Sequence, residues 1–164
     1  MKILLILPPM TQLNTPYPST TYLTAWLRHK GYETVQRDLG LALALRLFSR
    51  TGFERVRANL EAAEKKRRTA IPVKNFLKEF NAYFDCIEPT IRFLQGKDPS
   101  LALQISERNF LPEGPRFAPL AEHENLLEIF GAMGTQDKAK YLASLFLDDV
   151  ADVIRTGVDP RFQF

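Results

Sequence analysis

One cysteine, Cys86, and two histidines, His29 and His123, are the only thiol and imidazole side chains among 164 residues. No disulfide can form within the chain, which fits a reducing compartment and makes the cytoplasm the expected location. A single thiol is too few ligands for a zinc or iron–sulfur site. His29 lies beside Arg28 and Lys30 at an expected helix end, where positive charge is favourable. His123 follows Glu122, and neither histidine has a partner at ligand spacing, so both are expected to serve the surface. Long apolar runs are missing too. Ile3–Leu7 is followed at once by Pro8 and Pro9, too short for a signal-peptide core and far below the roughly 20 residues of a membrane span. No membrane partner is expected. Neither G-x-G-x-x-G, a Walker sequence nor a G-x-S-x-G elbow occurs. No nucleophile–base pair can be assembled, so the chain alone is not expected to be catalytic.

What is present suits a folded protein. Hydrophobic residues make up 45% and charged residues 25%, which is ordinary for a globular domain. Twelve Phe, five Tyr and one Trp can supply a core. The net charge of +3 is small, and part of it is the run Lys65-Lys66-Arg67-Arg68 after Glu61 and Glu64. A nucleic-acid binder spreads basic residues over a face and interleaves aromatics. This run reads instead as a solvated helix end, and nucleic acid is not an expected partner.

The pattern predicts an α/β fold, opening with one parallel βαβ unit, an incomplete Rossmann-like sheet, and continuing as a mostly α-helical region. The run Ile3–Leu7, apolar on both faces, suits a strand covered on both sides, and Pro8 ends it. Residues 8–18 form a loop with four prolines. Ser19 or Thr20 can cap a helix whose stripe of Tyr22, Leu23, Trp26 and Leu27 is expected to pack on the sheet. Gly31 falls just past its end. Glu33–Arg37, ending at Asp38, is the second strand. Leu39–Leu47 alternates with period two, yet it is Leu and Ala without β-branched residues, which predicts a largely buried helix.

Helical patterns fill the rest. Thr51 and Glu54 match a capping box, with Phe53, Val56, Leu60 and Ala63 on one face. Phe76, Leu77, Phe80 and Phe84 form another face, and Cys86–Leu94 reads as a short helix. Asp98-Pro99 is a helix start, and Phe110–Pro119 a loop. Thr135 can cap a last helix bearing Ala139, Leu142, Leu145, Phe146, Val150, Val153 and Ile154, closed by Gly157. Asp148, Asp149 and Asp152 read as its solvated face, since no further ligand matches their spacing. Domain organisation is read as 1–38, the βαβ start, and 39–164, a helical extension or insertion. Only two strands are legible, so a second copy of the chain, forming a homodimer, or a helix is expected at the sheet edges.

One place could hold a ligand. In open α/β sheets ligands sit beyond the carboxyl ends of the strands. Here that means the loop from Pro8, Pro9, Met10 and Thr11 onward, closed by Pro18, Ser19 and Thr20 at a helix N-terminus, where backbone N–H groups can hold an anion or a cofactor edge. A rigid proline-rich connection accounts for the same residues equally well.

The opening resembles a known family. A lysine–apolar strand ending in Pro8-Pro9 is followed by Tyr17-Pro18, the helix Tyr22-Leu23-Thr24-Ala25-Trp26-Leu27-Arg28, then Lys30-Gly31-Tyr32-Glu33 and a strand ending in Asp38. This is similar to the start of radical S-adenosylmethionine proteins with a cobalamin-binding domain. The resemblance covers residues 1 to about 40. Leu147–Ile154 and Asp159-Pro160-Arg161-Phe162 are similar to a subgroup with a helical insertion. The resemblance implies a Rossmann-like cobalamin domain joined to a barrel. There, a CxxxCxxC motif holds a four-iron, four-sulfur cluster that cleaves S-adenosylmethionine. This chain has one cysteine and no DxHxxG motif, so it is expected to carry none of these cofactors alone. The expected partner is the remainder of the same polypeptide beyond Phe164, which makes the chain a non-catalytic N-terminal piece of such an enzyme. The alternative is a stand-alone helical binding or adaptor module.

Overall fold

The structure, a computed structural model, describes residues 1–9, 17–63, 70–122, 130–131 and 133–162. They form two compact units, divided after Leu47. The first contains strand β1 (Lys2–Leu7), helix α1 (Pro18–His29), strand β2 (Glu33–Asp38) and helix α2 (Leu39–Leu47). β1 and β2 pair in parallel, with Lys2 opposite Glu33 and Leu7 opposite Asp38, so the βαβ unit is present. α1 ends where glycine predicts. Gly31 N–H donates to the Arg28 carbonyl and Tyr32 N–H to the Leu27 carbonyl, both at 3.0 Å. Gly31 has φ +83°, a left-handed conformation without penalty for a residue that has no Cβ.

α1 meets the sheet through a polar stripe, which corrects the expectation from hydrophobicity. Thr20, Thr24 and Arg28 recur every four residues and so share one face. Gln36 Nε2 donates to Thr20 Oγ1 at 2.8 Å, and Arg28 Nε and Nη2 donate to the Thr34 carbonyl at 2.9 and 2.8 Å. Thr24 is buried and donates to the Thr20 carbonyl at 2.6 Å. Tyr22, Leu23 and Trp26, expected against the sheet, are solvent-facing; Trp26 is 55% exposed. Leu27 is half-buried.

Cover on both faces of β1 is likewise not found. Side chains alternate across a strand, and Leu4 and Ile6 remain 55% and 46% exposed, as does Val35, opposite Leu4, at 42%. α2 is a helix as predicted and packs on β1. Its burial is not as predicted: Gly40 is its buried residue, while Leu39, Leu41 and Leu45 are exposed.

The second unit is helical: α3 (Arg50–Ala62), α4 (Ile71–Lys78), α5 (Phe80–Leu94), α6 (Ala102–Ser106), α7 (Ala118–Glu122) and α8 (Thr135–Gly157), with 3-10 turns at Pro99–Leu101 and Pro115–Phe117. Its core is a chain of aromatic contacts. Phe76 packs edge-on against Phe53, Phe80 and Tyr83 at 5.5, 5.6 and 5.2 Å, and Tyr83 stacks on Phe146 of α8 at 5.5 Å. Such pairs each add about 0.5–1.5 kcal/mol beyond their area burial. The apolar faces read from α3 and α8 are the buried ones, with Leu145 half-buried and Ala63, just past the end of α3, half-buried too.

Several boundaries differ from expectation. Ser49, not Thr51, caps α3, its Oγ accepting from Gly52 N–H at 3.1 Å. Cys86–Leu94 is the latter part of the 15-residue α5, which carries Pro89 internally. The expected loop Phe110–Pro119 contains a 3-10 turn and the start of α7, because Pro115 fits the first position of a turn. Thr135 is the first residue of α8 rather than its cap, and Gly134 precedes it. His123 and the Lys65–Arg68 run lie outside the described residues.

Candidate functional site

The carboxyl ends of β1 and β2 and the N-terminus of α1 meet at an open cleft of about 390 Å³ in the first unit. Leu7 and Pro18 give it an apolar lining, and Tyr17 and Tyr22 bring two phenol rings. Thr21, Gln36 and Asp38 supply its polar side chains. Its wall is tied together by side-chain bonds. Gln36 Nε2 donates to Thr20 Oγ1, and Thr20 Oγ1 donates to the Tyr17 carbonyl at 3.4 Å, which links the end of β2 to the start of α1. Asp38 Oδ1 accepts Leu41 N–H at 2.8 Å, so the residue that ends β2 also caps the first turn of α2.

The residues singled out from sequence sit around this place with mixed roles. Pro8 and Pro9 follow β1 and are exposed. Met10 and Thr11 lie outside the described residues. Ser19 and Thr20 are inside the first turn of α1 rather than caps, because Pro18 occupies the first turn and Tyr17 is the N-cap, making no side-chain cap bond. Proline's fixed φ is already helical, which moves the start forward. Thr20 is engaged within the fold, and Ser19 is exposed. Sequence reasoning missed Tyr17, Tyr22, Gln36 and Asp38 as lining. The available signal was position: Gln36 and Asp38 alternate onto one face at the carboxyl end of β2.

In the second unit Cys86 is buried, and its thiol donates to the Tyr83 carbonyl at 3.5 Å. Burial pushes the thiol up to about 12, which makes it a poor nucleophile at neutral pH. The chain supplies one thiol, fewer than the three that a CxxxCxxC motif brings to a four-iron, four-sulfur cluster. Among the described residues no group of His, Cys, Asp or Glu could hold a metal ion. The cleft presents no imidazole or thiol to cobalt among its described lining, and its volume lies near the lower end of the about 300–1,000 Å³ usual for small-molecule sites.

The acidic group on α8 is not a solvated face. Asp149 is 2% exposed. Its Oδ2 accepts Gly114 N–H at 3.1 Å and its Oδ1 accepts Arg116 N–H at 2.9 Å, so it anchors the turn that begins at Pro115. Burial raises its pKa to about 6, against the lowering effect of those two N–H groups. Arg116 Nε donates to Asp152 at 2.6 Å, and Arg155 lies 3.2 Å from Asp152. The arrangement is a structural clamp. No helix among the described residues is long and apolar enough to cross a membrane. Comparison with protein-family models, curated proteins and solved structures finds no match for the chain.

Proposed function

We propose that this chain is a non-catalytic part of a larger radical S-adenosylmethionine enzyme. In it, residues 1–47 open a Rossmann-like sheet and the following helices form an accessory body. The observation that carries the reading is the open apolar face of the βαβ unit. Parallel strands are normally covered on both faces, whereas Leu4, Ile6 and Val35 face solvent, as a sheet awaiting further elements would leave them. The opening sequence, similar to the cobalamin-domain proteins of that class, supplies the name. Iron, sulfur and S-adenosylmethionine chemistry would then belong to other parts of the enzyme, since Cys86 is the one thiol of this chain and is buried. Corrinoid binding, if the enzyme has it, would need groups beyond this cleft.

A second reading, a stand-alone helical binding or adaptor module, is favoured by one feature: the second unit closes its own aromatic core around Phe76. The intact mass of the native polypeptide, isolated from its own cells, separates the two. A mass well above 18.8 kDa, with peptides containing CxxxCxxC, is expected. A native mass equal to that of this chain would overturn the larger-enzyme reading and leave the adaptor.

A further inference from the structure

The cleft at the carboxyl end of the sheet has a composition that selects among ligands. Its described lining includes one carboxylate, Asp38, and no cationic side chain. The Asp38 carboxylate repels an anionic head group at the strand end, and the sequence offers no glycine-rich phosphate loop. What it offers is a carboxylate beside two aromatic rings. The Leu41 N–H bond at 2.8 Å fixes the orientation of the Asp38 carboxylate. An ionised carboxylate has about four acceptor positions, so one such bond leaves capacity for two hydroxyl donors. A cis-diol presents two adjacent O–H donors in the matching fork. An acidic residue at the end of the second strand of a βαβ unit is well placed to receive ribose hydroxyls. Tyr17 and Tyr22, 37% and 75% exposed at the helix start, leave ring surface on which a planar base can stack, an interaction worth about 1–3 kcal/mol per base in other proteins.

We propose that this cleft binds a ribonucleoside moiety, with the ribose cis-diol donating to Asp38 and the base lying against Tyr22. The proposal is independent of the larger-enzyme reading, because it concerns residues that the first unit itself brings together. The Gln36–Thr20–Tyr17 bonds hold the wall in place whether or not further elements join the sheet. Thr21 and the Gln36 amide supply secondary polar contacts.

The test is calorimetric titration of the full chain with adenosine, 2′-deoxyadenosine, AMP and free ribose. Adenosine should bind saturably. 2′-Deoxyadenosine should bind about tenfold more weakly, the loss expected for one hydrogen bond to a charged group. Free ribose should also bind at least about tenfold more weakly, because it forfeits the stacking. AMP should bind no more tightly than adenosine. Asp38→Asn keeps an oxygen for Leu41 N–H and should erase the preference for adenosine over its deoxy form. Tyr22→Ala alters an exposed side chain and should weaken adenosine while leaving the circular dichroism spectrum unchanged. Equal affinity for adenosine and 2′-deoxyadenosine would overturn the diol assignment. Equal affinity for adenosine and ribose would overturn the nucleoside assignment. Failure of the folded chain to bind adenosine would overturn the site altogether.

Discussion

Asp149 occupies a core position of α8, set in the same three-and-four spacing as Leu142, Phe146 and Val153. Reading it with Asp148 and Asp152 as a polar face was a choice between two legible spacings. The apolar neighbours at 146 and 153 pointed to the correct one, and its backbone partners near Gly114 could not be seen in sequence. Its burial has a consequence for stability. The folded-state pKa of about 6 lies above the ordinary 3.8, so between those values the folded chain holds a proton that the unfolded chain has lost. The contribution is fully present below about pH 3.8 and is lost as pH rises through 6. The groups around the carboxylate, Arg116, Asp152 and Tyr83, set the details. Measured against Asp149→Asn by urea titration at a series of pH values, the natural chain should lose about 2–3 kcal/mol of relative stability between pH 4 and 7. A relative stability that rises over that interval would mean that the N–H bonds outweigh burial.

α8 ends at Gly157, as the sequence reading expects. The residue also permits a close approach. A Cβ at 157 would lie 2.1 Å from Leu60 Cδ2 of α3 and 3.0 Å from Val73 Cγ2 of α4. Gly157→Ala would ordinarily gain up to about 1 kcal/mol in helix propensity. Here the overpacking of two buried side chains should reverse the sign and cost about 1–3 kcal/mol, seen as a lower urea midpoint with an unchanged slope. A higher midpoint would show that α3 and α8 are farther apart than described. Helices such as α3 and α8 were legible because aromatic and aliphatic residues recur at helical spacing along one stripe. α1 was legible as a helix but not in its orientation. Hydrophobicity pointed to Tyr22 and Trp26, while the face that meets β2 is made of Thr20, Thr24 and Arg28, whose worth lies in hydrogen bonds to Gln36 and Thr34. The cleft lining was half-legible for a similar reason. The strand end could be placed from Asp38, but Tyr17 and Tyr22 join it only through the tertiary position of α1.

The βαβ unit presents a problem that its own residues do not solve. Two parallel strands make a poor sheet alone, and the face bearing Leu4, Ile6 and Val35 is open, as are Leu23 and Trp26 on α1. Within a larger enzyme those surfaces would be covered by further strands and helices. In the purified chain the available cover is another copy. Pairing of exposed strand edges between identical chains most simply gives a two-fold dimer. Light scattering over a range of concentrations should therefore show reversible self-association. Replacing Leu4 and Ile6 together by Lys places charge on a face that is already solvent-exposed, so it should leave the circular dichroism spectrum unchanged while shifting the chain to monomer. Hydrogen exchange supplies the second observable: amides of Ile3–Leu7 should be more protected at high concentration than at low. A strict monomer whose Ile3–Leu7 amides exchange rapidly at every concentration would count against β1 and β2 forming a stable pair in the isolated chain.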